Sequence, residues 1–169
     1  MISGNHKKNV KIRINGIRNM IELDSDNRLV AHKKIRAPFY DIDMAGMVWH
    51  GHYLKYFELA RCCLLDGIGY NYKEMIDTSV LWPVIDTSIR YINPLVLDQE
   101  FVVSACLLEW ELRLFIEYTI RNEKGVVCTR GKTVQAPVNA KTRALQLGSP
   151  QQLVDCVENC RQALVDRTS

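Results

Sequence analysis

One stretch of helical periodicity followed by almost unbroken strand patterning limits the folds open to this chain. From His50 to Asp66 the residues Tyr53, Tyr56, Phe57, Ala60, Cys63 and Leu64 recur at three- and four-residue intervals, tracing one face of an α-helix. Gly67 reads as its C-terminal stop. At about 1.5 Å per residue such a helix is about 24 Å long, enough to cross a small sheet. A short helix is expected around 71–77. The pattern then changes to long β runs at 81–92, 100–110, 113–121 and 125–138, joined by short links, so that the last three read as an antiparallel meander. A further strand is expected at 29–39. Ser149 followed by Pro150 reads as an N-cap and first helical residue, opening a C-terminal helix to about Arg167. At 169 residues there is room for one core. The expectation is an α+β domain with a long helix packed on a single antiparallel sheet.

The ends are read separately. Residues 1–28 form a basic extension with a hairpin centred on Asn15-Gly16, 29–148 the main domain, and 149–169 the C-terminal helix. Within the first 36 residues Lys7, Lys8, Lys11, Arg13, Arg18, Arg28, Lys33, Lys34 and Arg36 outnumber three acids. A solvated arm is the plain reading, and weak attraction to an acidic partner or membrane surface the sharper one. A net charge of +3 is too small to argue for nucleic acid, and 47% apolar with 24% charged residues excludes a disordered chain. No apolar run approaches a membrane span and the N-terminus is too polar for a signal peptide, so a cytoplasmic protein is expected. The six cysteines (62, 63, 106, 128, 156 and 160) lie in apolar patterns without a Cys-x-x-Cys pair, which suits reduced core thiols; Cys156 and Cys160 alone do not make a metal site.

The chemistry concentrates in "YDIDMAGMVWHGHY", residues 40–53. Asp43 lies just before the expected helix start at His50 or Gly51, and Ala45-Gly46 permits a tight path between them. The first turn of a helix carries unpaired N–H groups and partial positive charge, which stabilise a polarised carbonyl oxygen. A carboxylate facing those donors is an acyl-transfer arrangement. Asp-x-Asp also serves turn and capping chemistry, so both readings stand at this point. His50 and His52 point to different sides of a helix and find no third histidine nearby, so no metal is expected. Tyr53, Tyr56 and Phe57 read as core, with Tyr53 near enough to the helix start to touch substrate; Glu58 and Arg61 read as a helix-face ion pair. The chain has no Gly-x-Ser-x-Gly elbow, Walker loop, Gly-x-Gly-x-x-Gly or His-Glu-x-x-His.

Asp41, Ile42, Asp43, Gly46, Met47, Val48, Trp49, His50, Tyr53, Phe57, Glu58, Ala60 and Arg61 together resemble the signature of hotdog-fold acyl-CoA thioesterases of the 4-hydroxybenzoyl-CoA thioesterase type, especially their Tol-Pal-associated, YbgC-like branch. The resemblance weakens through "IRYINP" (89–94) and spans about 29–138. It implies a five- or six-stranded antiparallel sheet wrapped around a long central helix, and a homodimer or homotetramer with its active site at a subunit interface. It also implies hydrolysis of an acyl-CoA to a carboxylic acid and free CoA, with no cofactor beyond the CoA of the substrate. By position, Asp43 is the catalytic carboxylate, as nucleophile or general base, and His50 lies where a helix-start N–H polarises the thioester carbonyl. Gly51, Tyr53 and Trp49 would position the substrate. Trp49 and the Gly51-His52 pair depart from the family pattern and bear on the shape of the acyl pocket. For the CoA phosphates the cations near the sheet edge are Arg90, Arg130 and Lys132, of which the last two share a strand face; ordinary solvent-facing positions are the competing reading. An acyl carrier protein thioesterase and a non-catalytic acyl-CoA-binding module are the alternatives, the second disfavoured by an intact Asp43.

Overall fold

A computed structural model describes residues 21–167. The hairpin expected around Asn15-Gly16 lies outside them. Strands β1 (Ile21–Leu23), β2 (Leu29–Arg36), β4 (Val84–Tyr91), β5 (Glu100–Glu109), β6 (Leu114–Asn122) and β7 (Val127–Gln135) form one sheet, and β3 (Val80–Leu81) pairs with β8 (Val138–Asn139) in a second. Helices α1 (Tyr53–Ile68), α2 (Tyr72–Asp77) and α3 (Gln151–Asp166) complete the described elements. The main sheet runs β1-β2-β5-β6-β7-β4, with every neighbouring pair antiparallel. The meander β5-β6-β7 is as expected, and β4 crosses over to the free side of β7.

All six residues of the predicted stripe on α1 are buried, with Leu65 and Ile68 beside them. They meet the alternating inward residues of the strands, among them Ala31, Phe101, Val103, Ala105, Ile116 and Tyr118. Phe57 stacks on Tyr118 with ring centroids 4.5 Å apart. Opposite it on β7 the chain has Gly131, where an added Cβ would fall 2.3 Å from the Phe57 ring. The missing side chain is what lets the helix lie this close to the sheet. Helix α3 adds Leu153, Val157, Cys160 and Leu164 to the same core.

The boundaries differ from expectation where glycine and proline act. Helix α1 runs through Gly67, which is helical and buried, and ends at Gly69, whose φ of +86° is the left-handed stop. The run at 81–92 divides at Pro83 into β3 and β4, and the run at 125–138 divides at Pro137 into β7 and β8, because proline lacks the N–H a ladder needs. The strand from residue 29 stops at Arg36, before Pro38 and a 3-10 turn at Phe39–Asp41. Ser149 does not cap α3: Pro150 takes the N-cap position, and the Ser149 hydroxyl donates to the Trp110 carbonyl, tying the helix start to the β5-β6 turn. All six cysteines are free thiols, and Cys63, Cys128 and Cys160 are buried.

Candidate active site

Between β2 and α1 the chain makes a tight loop. Ile42 bridges to Val48 and Met47 to Val96, and the Asp43 N–H donates to the Met47 carbonyl over 2.8 Å. Gly46, at φ +77°, makes the reversal. Asp43 Oδ1 accepts the N–H groups of Ala45 (2.8 Å) and Met47 (3.4 Å), which fixes the carboxylate within its own turn. Oδ2 accepts no hydrogen bond among the described residues.

The loop is pinned to the helix by Asp41, whose side chain is fully buried. Its carboxylate accepts from the Lys55 ammonium and, over 2.6 Å, from the Tyr56 hydroxyl, while His52 Nδ1 stands 3.7 Å away. Its backbone carbonyl accepts the Trp49 N–H at 2.9 Å. Burial pushes the Asp41 carboxyl up, but the Lys55 and Tyr56 hydrogen bonds and the nearby positive charge outweigh it and hold the group below the ordinary carboxylate value. Burial, together with the same contact, raises the Tyr56 phenol.

His50–His52 form a 3-10 turn that leads directly into α1. Among the described residues the N–H groups of His50 and Gly51 find no acceptor, as expected for a helix start. The Tyr91 hydroxyl donates to the His50 carbonyl at 2.8 Å, and the Tyr91 ring meets Tyr53 edge-on at 5.0 Å. Asp43, His50, Tyr53, Tyr91, Asn93 and Pro94 line a cavity of about 350 Å³ together with Met47, Val48 and Ile92.

The structure thus brings Asp43, His50 and Tyr53 to one cavity. Trp49 and Gly51 do not line it. The Trp49 indole folds back between the rings of His50 (4.8 Å) and His52 (5.3 Å). It covers Gly51 so closely that a Cβ there would fall 2.0 Å from the ring. The departures at 49, 51 and 52 are one packing unit. Glu58 and Arg61 form the expected ion pair, and Arg61 also reaches Gln135 at 3.4 Å.

The three cations take a different face. Gly131 points at Phe57 of α1, so Arg130 and Lys132 on either side of it point away from the helix. Arg90 stands directly across from Arg130, on the face opposite Tyr91. Lys132 pairs with Glu117 at 3.6 Å. Sequence reasoning missed the Asp41 anchor and Tyr91 as a wall of the cavity; the Tyr-x-Asn-Pro pattern ending a strand was the available signal for the second.

The sequence profile of the thioesterase-like superfamily matches residues 37–164, well over half the chain and including this loop, α1 and strands β3 to β8. The chain belongs to the thioesterase-like superfamily. A Bacillus subtilis protein provisionally named acyl-CoA thioesterase YneP is 31% identical over 97 residues, covering 57% of this chain and 70% of the relative. The crystal structure of DHNA-CoA thioesterase from Staphylococcus aureus superposes with a TM-score of 0.70 at 24% identity, covering 83% of this chain and 95% of that one. A 4-hydroxybenzoyl-CoA thioesterase mutant complexed with 4-hydroxybenzoyl-CoA gives 0.68 at 14% identity, covering 76% and 98%. The thioesterase-like chain shares their hotdog fold, with α1 as the helix the sheet wraps. No described helix is long and apolar enough to cross a membrane.

Proposed function

We propose that the protein hydrolyses an acyl-CoA thioester to the carboxylic acid and free CoA. The observation that carries this is a carboxylate with one uncommitted oxygen, Asp43 Oδ2, sharing a single cavity with the start of α1. The unpaired His50 N–H at that helix start supplies the oxyanion donor. With Asp43 as general base, Oδ2 takes a proton from water as its oxygen attacks the thioester carbonyl carbon. The tetrahedral oxyanion is held by the His50 N–H, then collapses as the C–S bond breaks. The proton passes from Asp43 to the departing CoA thiolate. With Asp43 as nucleophile, Oδ2 attacks the carbonyl carbon itself and water later opens the mixed anhydride. Label in the Asp43 carboxylate after a single turnover in ¹⁸O-water marks the second route, with water opening the anhydride at the aspartyl carbonyl carbon.

The curated relative's name and the CoA-bound structural neighbour support an acyl-CoA substrate. No metal or redox group is required, because a thiolate leaves readily. Arg130 and Lys132, with Arg90 beside them, are assigned to the CoA phosphates, reached around the β4 edge. The protein acts as a homo-oligomer in the cytoplasm, a setting that suits six free thiols.

The test is thiol release from acetyl-, hexanoyl-, palmitoyl-, benzoyl- and 4-hydroxybenzoyl-CoA by wild type and Asp43→Asn. The expected outcome is a chain-selective activity that falls about 10²-fold or more in the variant. Equal rates in the two proteins would refute the assignment.

A further inference from the structure

A second cavity, of about 400 Å³, lies between α2, β3 and β8 and shares no lining residue with the Asp43 cavity. Its frame is set by local hydrogen bonds. The Asn71 side chain accepts the Lys73 N–H at 2.8 Å and starts α2. Ser79, at φ +54°, turns the chain from α2 into β3, and its carbonyl accepts the Ala140 N–H at 2.9 Å, which ties the turn to the end of β8. The Trp82 indole N–H donates to the Tyr70 hydroxyl at 3.4 Å, fixing the ring as a wall. Tyr72 and Ile76, one helical turn apart on α2, present a common face to the cavity. They are 76% and 58% exposed, and Leu81 across from them is 39% exposed. Wet apolar side chains around a formed hollow favour a ligand with an apolar body.

The polar groups of the cavity have one sign. Lys141 stands in the turn after β8, where its backbone N–H donates to Asn139 Oδ1 at 2.9 Å. Its ammonium has no ion-pair partner among the described residues. Arg61 enters from α1 with a side chain only 15% exposed. Three of its five N–H donors go to Glu58 and Gln135. The other two have no acceptor among the described residues. Glu58 already offsets the Arg61 charge, so Lys141 supplies net positive charge and Arg61 supplies spare donors. No Asp or Glu lines the cavity. An apolar hollow with free cationic donors and no carboxylate is complementary to an amphipathic anion. Its volume, near the small end for ligand sites, suits one aliphatic chain and not the two of a phospholipid.

We propose that this cavity binds a free fatty acid, with its chain among Tyr72, Ile76, Leu81 and Trp82 and its carboxylate on Lys141 and the spare Arg61 N–H groups. A carboxylic acid is also what hydrolysis at Asp43 would release. The site does not rest on that reading, because its occupancy is measured without turnover.

The test is isothermal titration calorimetry of the full chain with dodecanoate and with dodecyltrimethylammonium, both below their micelle concentrations. The pair shares a tail and differs in the sign of the head. Saturable binding of dodecanoate is expected, at least about tenfold tighter than that of the ammonium. Equal affinity for the two, or no saturable binding of the acid, overturns the proposal. Leu81→Glu, which puts a carboxylate in the wall, and Lys141→Glu, which reverses the head-group charge, are each expected to weaken dodecanoate about tenfold or more. Lys141 is exposed on its turn, so the second variant keeps the test decisive if the first does not fold. Binding unchanged in Lys141→Glu, or lost in Asp43→Asn instead, would put the acid in the Asp43 cavity and overturn the assignment. A drop in sedimenting mass on Leu81→Glu, with no acid present, would give the exposed apolar face to a second copy of the chain and overturn it equally.

Discussion

Asp41 is a carboxylate taken fully out of water, and its partners decide whether that helps or harms the fold. It accepts hydrogen bonds from Lys55 and Tyr56 and fixes, through its carbonyl, the loop segment that carries Trp49. Because folding holds its carboxyl below the ordinary carboxylate range, the stability it contributes is fully present above that range and is lost as pH falls through the lowered value. We expect Asp41→Asn to cost about 2 kcal/mol at neutral pH, from weakened charge-assisted hydrogen bonds. The gap between wild type and variant in urea titrations should close as the pH falls below the ordinary carboxylate range. A constant gap across that range would show that the carboxylate charge plays no part. Residue types told much about this site and little about its internal wiring. Asp43 and His50 stood out because a carboxylate before a helix start has a chemical use. Asp41 did not, because a buried anchor and a turn aspartate look alike until Lys55 and Tyr56 are seen to converge on it. Trp49 and Gly51 were legible as departures, but only the ring lying over the glycine shows that they pack together and leave the cavity wall to Tyr91.

At the scale of elements, α1 and the sheet were readable because their hydrophobic periods differ, and the stripe from Tyr53 to Leu64 is the face that became buried. The punctuation was harder. Gly67 and Gly69 are both plausible stops by type, and burial of Gly67 against the core carries the helix on to the second. Two β runs each hold a proline, Pro83 and Pro137, that marks the break locally, but which sheet the chain joins beyond it is set by tertiary pairing. The closeness of α1 and β7 could not be read at all before Gly131 was seen facing Phe57. It predicts that Gly131→Ala, a change neutral on most surfaces, will overpack the core. The added Cβ meets a ring already stacked on Tyr118, and the Ser88 carbonyl lies only 3.1 Å off on the other side. A loss of about 1–3 kcal/mol in the unfolding free energy is expected, measured by urea denaturation. An unchanged midpoint would mean that α1 can move away from the sheet at little cost.

For the molecule as a whole, the two edges of the main sheet are unequal. β4 is an open strand of eight residues, whereas β1 at the other edge is three residues long among the described residues. An open ladder of eight residues gives an added strand enough hydrogen bonds to hold it, and three residues give too few. The sheet therefore has a sensitive side. Tyr91, a wall of the Asp43 cavity, lies on that same open strand, so whatever lengthens the sheet touches the site first.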